Sequence, residues 1–422
     1  MNIEEIVQQL KNDPSEIDQL IYNAVFSEDK ETSLLTLQKA LNELGYKGKS
    51  IYPLYKIFAE KFLGFTVPAI NIRGMTYDVA RHVFKTAKRL NAGAFIFEIA
   101  KSEMNYTKQS PLEYATVILS AAFREGFEGP IFIQGDHFQL NRKAFFASPE
   151  KEKEKLKDLI KKAINAQFYN IDIDASTLVV LEKEDITEQQ KFNYEITAEM
   201  SKFIRSIQPE GIIVNIGGEI GEIGGHNSTP EELRAFMNGL NKCLDNEIGI
   251  SKISVQTGTA HGGIVLPDGK VATINLDFNT LKTLSRLARE EYGLAGAVQH
   301  GASTLPEDYF HLFPENECVE VHLATGFQNF IYDHPALPSD FREKIYSYLK
   351  KQFQHEWKED MTEAQFIYKT RKKGFGAFKK DWWDLSQEIK EKILSDMEEV
   401  FEKIFKALNI TNTMDLVKNI VT

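Results

Sequence analysis

Eight short apolar runs recur between residues 66 and 326, and this rhythm limits what the chain can fold into more than any other feature. They are TVPAINI (66–72), AFIFEIA (94–100), PIFIQG (130–135), NIDIDAS (170–176), IIVNIGGE (212–219), KISVQTG (252–258), AGAVQHGA (295–302) and VEVHLATG (319–326). Most are near-continuous in apolar character, which suits parallel strands covered on both faces. Segments with helical periodicity, such as DVARHVFKTAKRL and EKLKDLIKKAINA, lie between them. Start-to-start spacing is mostly 28 to 43 residues, about one βα unit each. Eight such units in series predict an α/β chain of the (β/α)8 type, a TIM barrel whose active site lies at the C-terminal ends of its strands. A doubly wound open sheet is the alternative, and no dinucleotide fingerprint supports it.

The barrel is expected over 63–334, with helical extensions at 1–62 and 335–422. The N-terminal extension holds amphipathic stretches such as ETSLLTLQKALNELG and is expected to cover the barrel's bottom or a neighbouring subunit. In the C-terminal one, Ile389, Ile393, Met397, Val400, Phe401, Ile404 and Leu408 form an apolar stripe at helical spacing, read first as tertiary packing. A net charge of −11 gives no general attraction to nucleic acid or anionic membrane. Two cysteines, Cys243 and Cys318, argue against a disulfide framework and fit a reducing cytoplasm. The opening MNIEEIVQQLKNDPSE is unlike a signal peptide, and no apolar stretch reaches the length of a membrane span.

Three histidines stand at three strand ends: His137 in IFIQGDHF, His261 in ISVQTGTAHGG and His300 in AGAVQHGAST. Imidazoles delivered from separate strands can converge on one metal ion and leave a coordination position for substrate. Singly, each is more simply a hydrogen-bonded loop residue; the repeated context favours the metal. Asp136 beside His137 is placed for general acid or base work, against the plainer reading of a loop carboxylate capping backbone N–H groups. The Gly-rich NIGGEIGEIGGHNSTPEELRAF, with Glu219 and Glu222, reads as a loop over a site. Its end is marked by Thr229, Pro230 and Glu232 as N-cap, first helical residue and capping-box partner. Asp172 and Asp174 share one face of their strand, and a cation or donors must accompany them. The basic run Lys369, Arg371, Lys372 and Lys373 is ordinarily a solvated face; in an acidic chain it is also the candidate anion contact, in this or a neighbouring subunit.

Five of these segments, in order, resemble the class II, zinc-dependent ketose-bisphosphate aldolases (fructose- and tagatose-bisphosphate aldolases) over residues 66–330. VPAINI is similar to that family's opening strand, GDH at 135–137 to its Asp-His pair, and GEIGEIGG at 218–225 to its ELGxxGG element. GTAHG at 258–262 is similar to GxxHG, and QHGAS at 299–303 to LHGGS. The resemblance implies Zn²⁺ on His137, His261 and His300, and an alternate metal position with Glu219 and Asp174, which leaves room for an additional divalent or monovalent cation. Asp136 would move the proton of the hydroxyl at the cleaved bond. Gly262, Gly301, Ser303 and Thr325 match positions that hold a phosphate, and Asn71 and His322 join the substrate-binding candidates. The chain also departs from the pattern. His226 and Asn227 stand where acidic residues usually follow the mobile loop's GG, so the carbon-proton base falls to Glu222 or His226. His322-Leu323-Ala324-Thr325 replaces an NIDT-like end, a Lys after the GxxHG histidine gives way to Ile264 and Val265, and Ala100 stands for the Ser that helps bind the distal phosphate.

The expectation is therefore a zinc-dependent aldolase, a carbon–carbon lyase of carbohydrate metabolism. It would reversibly cleave a ketose (bis)phosphate, fructose-1,6-bisphosphate-like, to dihydroxyacetone phosphate and an aldehyde. A cytoplasmic homo-oligomer, dimer or tetramer, is expected, with neither nucleic acid nor membrane as partner. The alternative is a non-catalytic accessory subunit of a tagatose-bisphosphate-type aldolase. A metal-dependent hydrolase ranks last, because TVPAINIRG lacks a His-x-His pair.

Overall fold

A computed structural model describes residues 2–221, 225–258, 266–267 and 276–421. All eight apolar runs are strands: β1 (Val67–Asn71), β2 (Ile96–Ala100), β3 (Ile131–Gln139), β4 (Asn170–Asp174), β5 (Asn215–Glu219), β6 (Lys252–Val255), β7 (Ala297–Gln299) and β8 (Glu320–Leu323). Every neighbouring pair is parallel, and pairing of β1 with β8 and of β3 with β4 closes the sheet into a (β/α)8 barrel. A two-residue strand, Gly48–Lys49, adds to the lower end of β3.

Alternation along each strand decides what enters the barrel. Outward residues such as Phe97 meet the helical layer, where Phe84 packs 4.9 Å from Phe97 and 4.8 Å from Phe127. The helix Pro230–Leu244 begins as its sequence prescribes. Thr229 Oγ1 accepts the Glu232 N–H at 3.2 Å, and the Glu232 carboxylate accepts the Thr229 N–H at 2.8 Å.

Both extensions fold onto the barrel. Residues 48–55 lie across the N-terminal strand ends: Ile51 N–H donates to Asn170 at 2.9 Å, Ser50 to the Ile213 carbonyl at 2.6 Å, and the Tyr55 hydroxyl to Glu320 inside the barrel. The stripe on Gln387–Ala407 is buried at Ile393, Met397, Phe401 and Ile404, with Leu408 just beyond the helix. That helix packs on Thr76–Arg89, the helix after β1, and Phe401 lies 5.2 Å from Phe327 of the helix after β8. It thus completes the ring of outer helices. Cys243 and Cys318 are both free, and among the described residues no helix is long and apolar enough to cross a membrane.

Candidate active site

A cavity of about 790 Å³ opens at the C-terminal ends of the strands, lined in part by Asn71, Asp136, His137, Asp174, Glu219 and His300. Gly301, Ser303, His322 and Thr325 line it too. The candidates converge because strand alternation points every second side chain into the barrel, and the last inward residue of each strand reaches the mouth.

β3 breaks that alternation. Its pairing with β4 shifts register between Gly135 and Phe138, and His137 takes a left-handed backbone with φ +43°. A β-bulge inserts one residue and re-aims its side chain. Here it turns Asp136 and His137 to the same side within a strand that runs on to Gln139. A non-glycine residue in this conformation stores strain that its surroundings must hold in place.

His137 Nδ1 lies 3.1 Å from Asp174 Oδ2 and 3.3 Å from Glu219 Oε2, while Nε2 faces Asp136 at 3.9 Å. Ser176 fixes Asp174 by N–H and hydroxyl donation at 3.1 and 2.6 Å. The His137 and His300 rings are 4.5 Å apart, and Ser254 Oγ contacts His300 Nε2 at 2.9 Å. Two donor sets result, each with ligand atoms within 4.8 Å of one another: Asp136, His137 and His300, and His137, Asp174 and Glu219. Imidazole nitrogen with carboxylate oxygen is a donor set that Zn²⁺ accepts. Burial opposes ionisation of both Asp136 and His137. Their mutual attraction prevails, with Glu219 and Asp174 also acting on His137, so the imidazole is held well above its ordinary value and the Asp136 carboxyl well below.

His322, 4% exposed, stands behind this group, with its ring 4.0 Å from that of His300. Nδ1 is 3.0 Å from Glu98 and 3.3 Å from Asp136, and Nε2 is 2.6 Å from Glu320. The phosphate candidates also meet: Gly301 is left-handed at φ +69°, and Ser303 Oγ accepts the Gly326 N–H at 3.0 Å, beside Thr325. His226 does not line the cavity; its half-exposed ring contacts the Asn227 carbonyl at 2.8 Å. Glu222, His261 and Gly262 lie outside the described residues.

Several cavity residues escaped the sequence reading, among them Glu98, Glu103, Gln328, Arg73 and Tyr106. Arg73, two positions past Asn71, donates Nε to Glu103 at 2.7 Å and Nη1 to Gln328 at 2.8 Å. Tyr106 lines the same wall. The available signal was a lone arginine at a strand exit, which by itself has too many uses to point anywhere. Lys369 and Lys372, read as part of a surface run, reach the cavity of their own chain.

A family model described as fructose-bisphosphate aldolase class-II matches residues 58–410. Among solved structures, a fructose-bisphosphate aldolase from Campylobacter jejuni is 18% identical with a TM-score of 0.50, the match covering 87% of this chain and 97% of that one. A fructuronate-tagaturonate epimerase from Cohnella laeviribosi is 13% identical with a TM-score of 0.56, over 91% and 85%. A probable tagatose 6 phosphate kinase from Sinorhizobium meliloti 1021 is 13% identical with a TM-score of 0.55, over 84% and 100%. At such identities these structures share a fold with the chain. No curated protein matches it.

Proposed function

The chain belongs to the class-II fructose-bisphosphate aldolase family, and from that premise we propose that it is a metal-dependent aldolase acting on a ketose phosphate. Membership supports aldolase-type lyase chemistry; the metal and the substrate are the proposed part. One observation carries the reading: Asp136, His137 and His300, from two different strand ends, place ligand atoms within 4.8 Å of one another at the barrel mouth. Zn²⁺ held by His137 and His300, with His261 as the third ligand, would supply Lewis-acid polarisation of the substrate's ketone oxygen. Glu219 and Asp174 form the alternate metal position, and Asp174 also fixes the His137 ring through Nδ1.

The chain's own groups do the rest. Asp136, held ionised by the imidazoles around it, accepts the proton of the hydroxyl at the bond to be cleaved and returns it in synthesis. Asn71 and His322 contact the substrate's polar backbone. Gly301, Ser303 and Thr325, with Gly262, cradle a phosphate through backbone and hydroxyl donors. The base that moves the carbon-bound proton is assigned to Glu222 rather than His226, because the His226 ring lies outside the cavity. A homo-oligomer, dimer or tetramer, is part of the proposal and is checked by sedimentation.

The test is hydrogen–deuterium exchange into dihydroxyacetone phosphate in heavy water, with zinc and with chelator. Zinc-dependent exchange is expected. Absence of exchange from folded, zinc-loaded protein would overturn the reading, as would full cleavage activity in EDTA with metal loss verified.

A further inference from the structure

At the opposite end of the barrel from the catalytic cavity lies a second cleft, of about 440 Å³. Three parts of the chain wall it: the approach to the strand Gly48–Lys49, the loop 127–130 leading into β3, and the last helix, Met414–Ile420, with Val421 just beyond it. β3 begins at Ile131 on this cleft, and His137 stands six positions further along it. At about 3.3 Å of rise per residue, the two sites are roughly 20 Å apart.

Contacts outside the cleft fix its walls. Gly48 N–H donates to Gln167 Oε1 at 2.7 Å, and a Cβ on Gly48 would meet the Gln167 carbonyl oxygen at 2.5 Å. Tyr46 N–H donates to the Leu41 carbonyl at 2.9 Å, and the Asn170 side chain donates to the Lys49 carbonyl at 3.2 Å. On the facing side, a Cβ on Gly129 would meet the Phe127 ring at 2.5 Å and Met414 Sδ at 2.6 Å, so the loop sits directly on the last helix. The cleft is therefore preformed, as small-molecule sites usually are.

Its charge is opposite to that of the chain as a whole, which carries −11. Lys47, Lys49 and Lys418 line it against one acid, Glu128. Lys418 lies 3.8 Å from the exposed Glu128, a loose surface pair. The ammonium groups of Lys47 and Lys49 have no ion pair or hydrogen bond among the described residues. Lys49 is half-buried, and its pKa is pulled down first by burial and then by the Lys47 charge. A cation drawn partly out of water beside another cation is stabilised by an anion that completes it. Tyr46 adds a half-buried hydroxyl, kept protonated by burial and by the nearby Glu128 charge. No arginine lines the cleft, so the planar fork that suits a carboxylate is missing; clustered ammonium groups act as point charges, as lysines do on phosphate.

We propose that this cleft is a second binding site, for a small molecule bearing phosphate, with Lys47, Lys49 and Lys418 meeting the phosphate oxygens and the Tyr46 hydroxyl donating to them. The walls come from the N-terminal extension, the barrel and the C-terminal extension, so a ligand there ties both extensions to the barrel and stabilises the native state. Neither the site nor its ligand depends on the aldolase reading.

Calorimetric titration of the full-length, metal-free protein with pyrophosphate, and separately with glycerol 3-phosphate, tests it at an ionic strength held constant with chloride. Lys49→Met is expected to weaken one binding event on the order of tenfold, the loss of one charge-assisted contact. Lys47→Met should weaken the same event, and Lys49→Arg should retain it. Unchanged melting temperatures without anion would confirm that the variants fold; pyrophosphate should raise the wild-type Tm and leave that of Lys49→Met nearly unmoved. Phosphate held at the barrel mouth would be a separate event, lost in Ser303→Ala and spared by Lys49→Met. Tighter Lys49-dependent binding of pyrophosphate would assign a diphosphate, and of glycerol 3-phosphate a monoester. No binding of either probe, or binding unchanged in both Lys49→Met and Lys47→Met, would overturn the site and leave the aldolase reading standing.

Discussion

The barrel interior holds two layers of charge, built by the same alternation and satisfied in opposite ways. In the lower layer the Lys252 ammonium, fully buried, donates to Gln134 at 2.8 Å, to Asp172 at 3.0 Å and to Glu320. Gln134 in turn donates to Glu320 at 2.9 Å and to Glu98 at 3.2 Å. Two residues further along their strands, Asp136, Asp174, Glu219 and His322 form the upper layer with His137 and His300. Below, the cation is covalently part of the chain. Above, carboxylates and imidazoles crowd together with no lysine bonded to them among the described residues, and an exchangeable cation is what the proposed aldolase would add there. A fixed cation makes a core; an exchangeable one makes a site. His322 joins the layers, with Glu320 at its Nε2 and with Glu98 and Asp136 both at its Nδ1.

Breaking the upper layer should cost chemistry. His137→Ala removes a ligand shared by both donor sets, and the lost Lewis-acid assistance is worth several kcal/mol. Aldol cleavage should fall on the order of 10³-fold or more, with bound zinc lost in elemental analysis. Retention of stoichiometric zinc and of activity would remove His137 from the metal. Breaking the lower layer should cost the fold instead. Lys252→Met leaves Asp172 and Glu320 buried without their cation, a change that typically costs about 3–5 kcal/mol. Denaturant titration should show that loss, and the triple variant Lys252→Met, Asp172→Asn, Glu320→Gln should recover much of it. A single variant within about 1 kcal/mol of wild type would mean that the lysine is not what holds this layer together.

The joint between the layers is expected to be graded. His322→Asn keeps a polar side chain but cannot span Glu320 and Asp136 together. A fall in kcat on the order of 10- to 100-fold is expected with zinc content intact, the size typical of losing a group that orients the reacting ones. Unchanged kcat and KM would make His322 a strut of the lower layer only.

How much of this was legible differs between the layers. The eight strands and the barrel could be read because outward faces and crossover helices impose apolar runs at a regular spacing. Asp136, His137 and His300 could be read because they sit where those runs break. Glu98, Lys252 and Glu320 were passed over: each is one charge inside a strand buried on both faces, and a run such as AFIFEIA is dominated by its apolar neighbours. What pairs them is closure of the barrel, which brings Gln134 within reach of Glu320 across 186 positions. Lys372 was visible as charge but not as a cavity residue. Its place depends on Phe375 fitting against Gly74, about three hundred residues earlier in the chain.

The smallest expected effect sharpens the lower layer further. Burial pushes the Glu98 carboxyl up to about 8, against the pull of His322 and with a push from Asp136, so it is protonated at neutral pH. Unfolded, the same group titrates near its ordinary value of 4.5. Between those two values the native state binds the extra proton, so stability falls as pH rises through that window and levels off above it. Glu98→Gln keeps a neutral side chain of the same shape and deletes the titration. Its stability should stay close to wild type at the acid end of the window, exceed wild type modestly at the alkaline end, and show a shallower slope between. Denaturation midpoints at several pH values decide the point. A variant that parallels wild type throughout would mean that Glu98 is ionised in the native barrel and that His322 outweighs burial, which would make the lower layer a set of paired charges with no proton held in reserve.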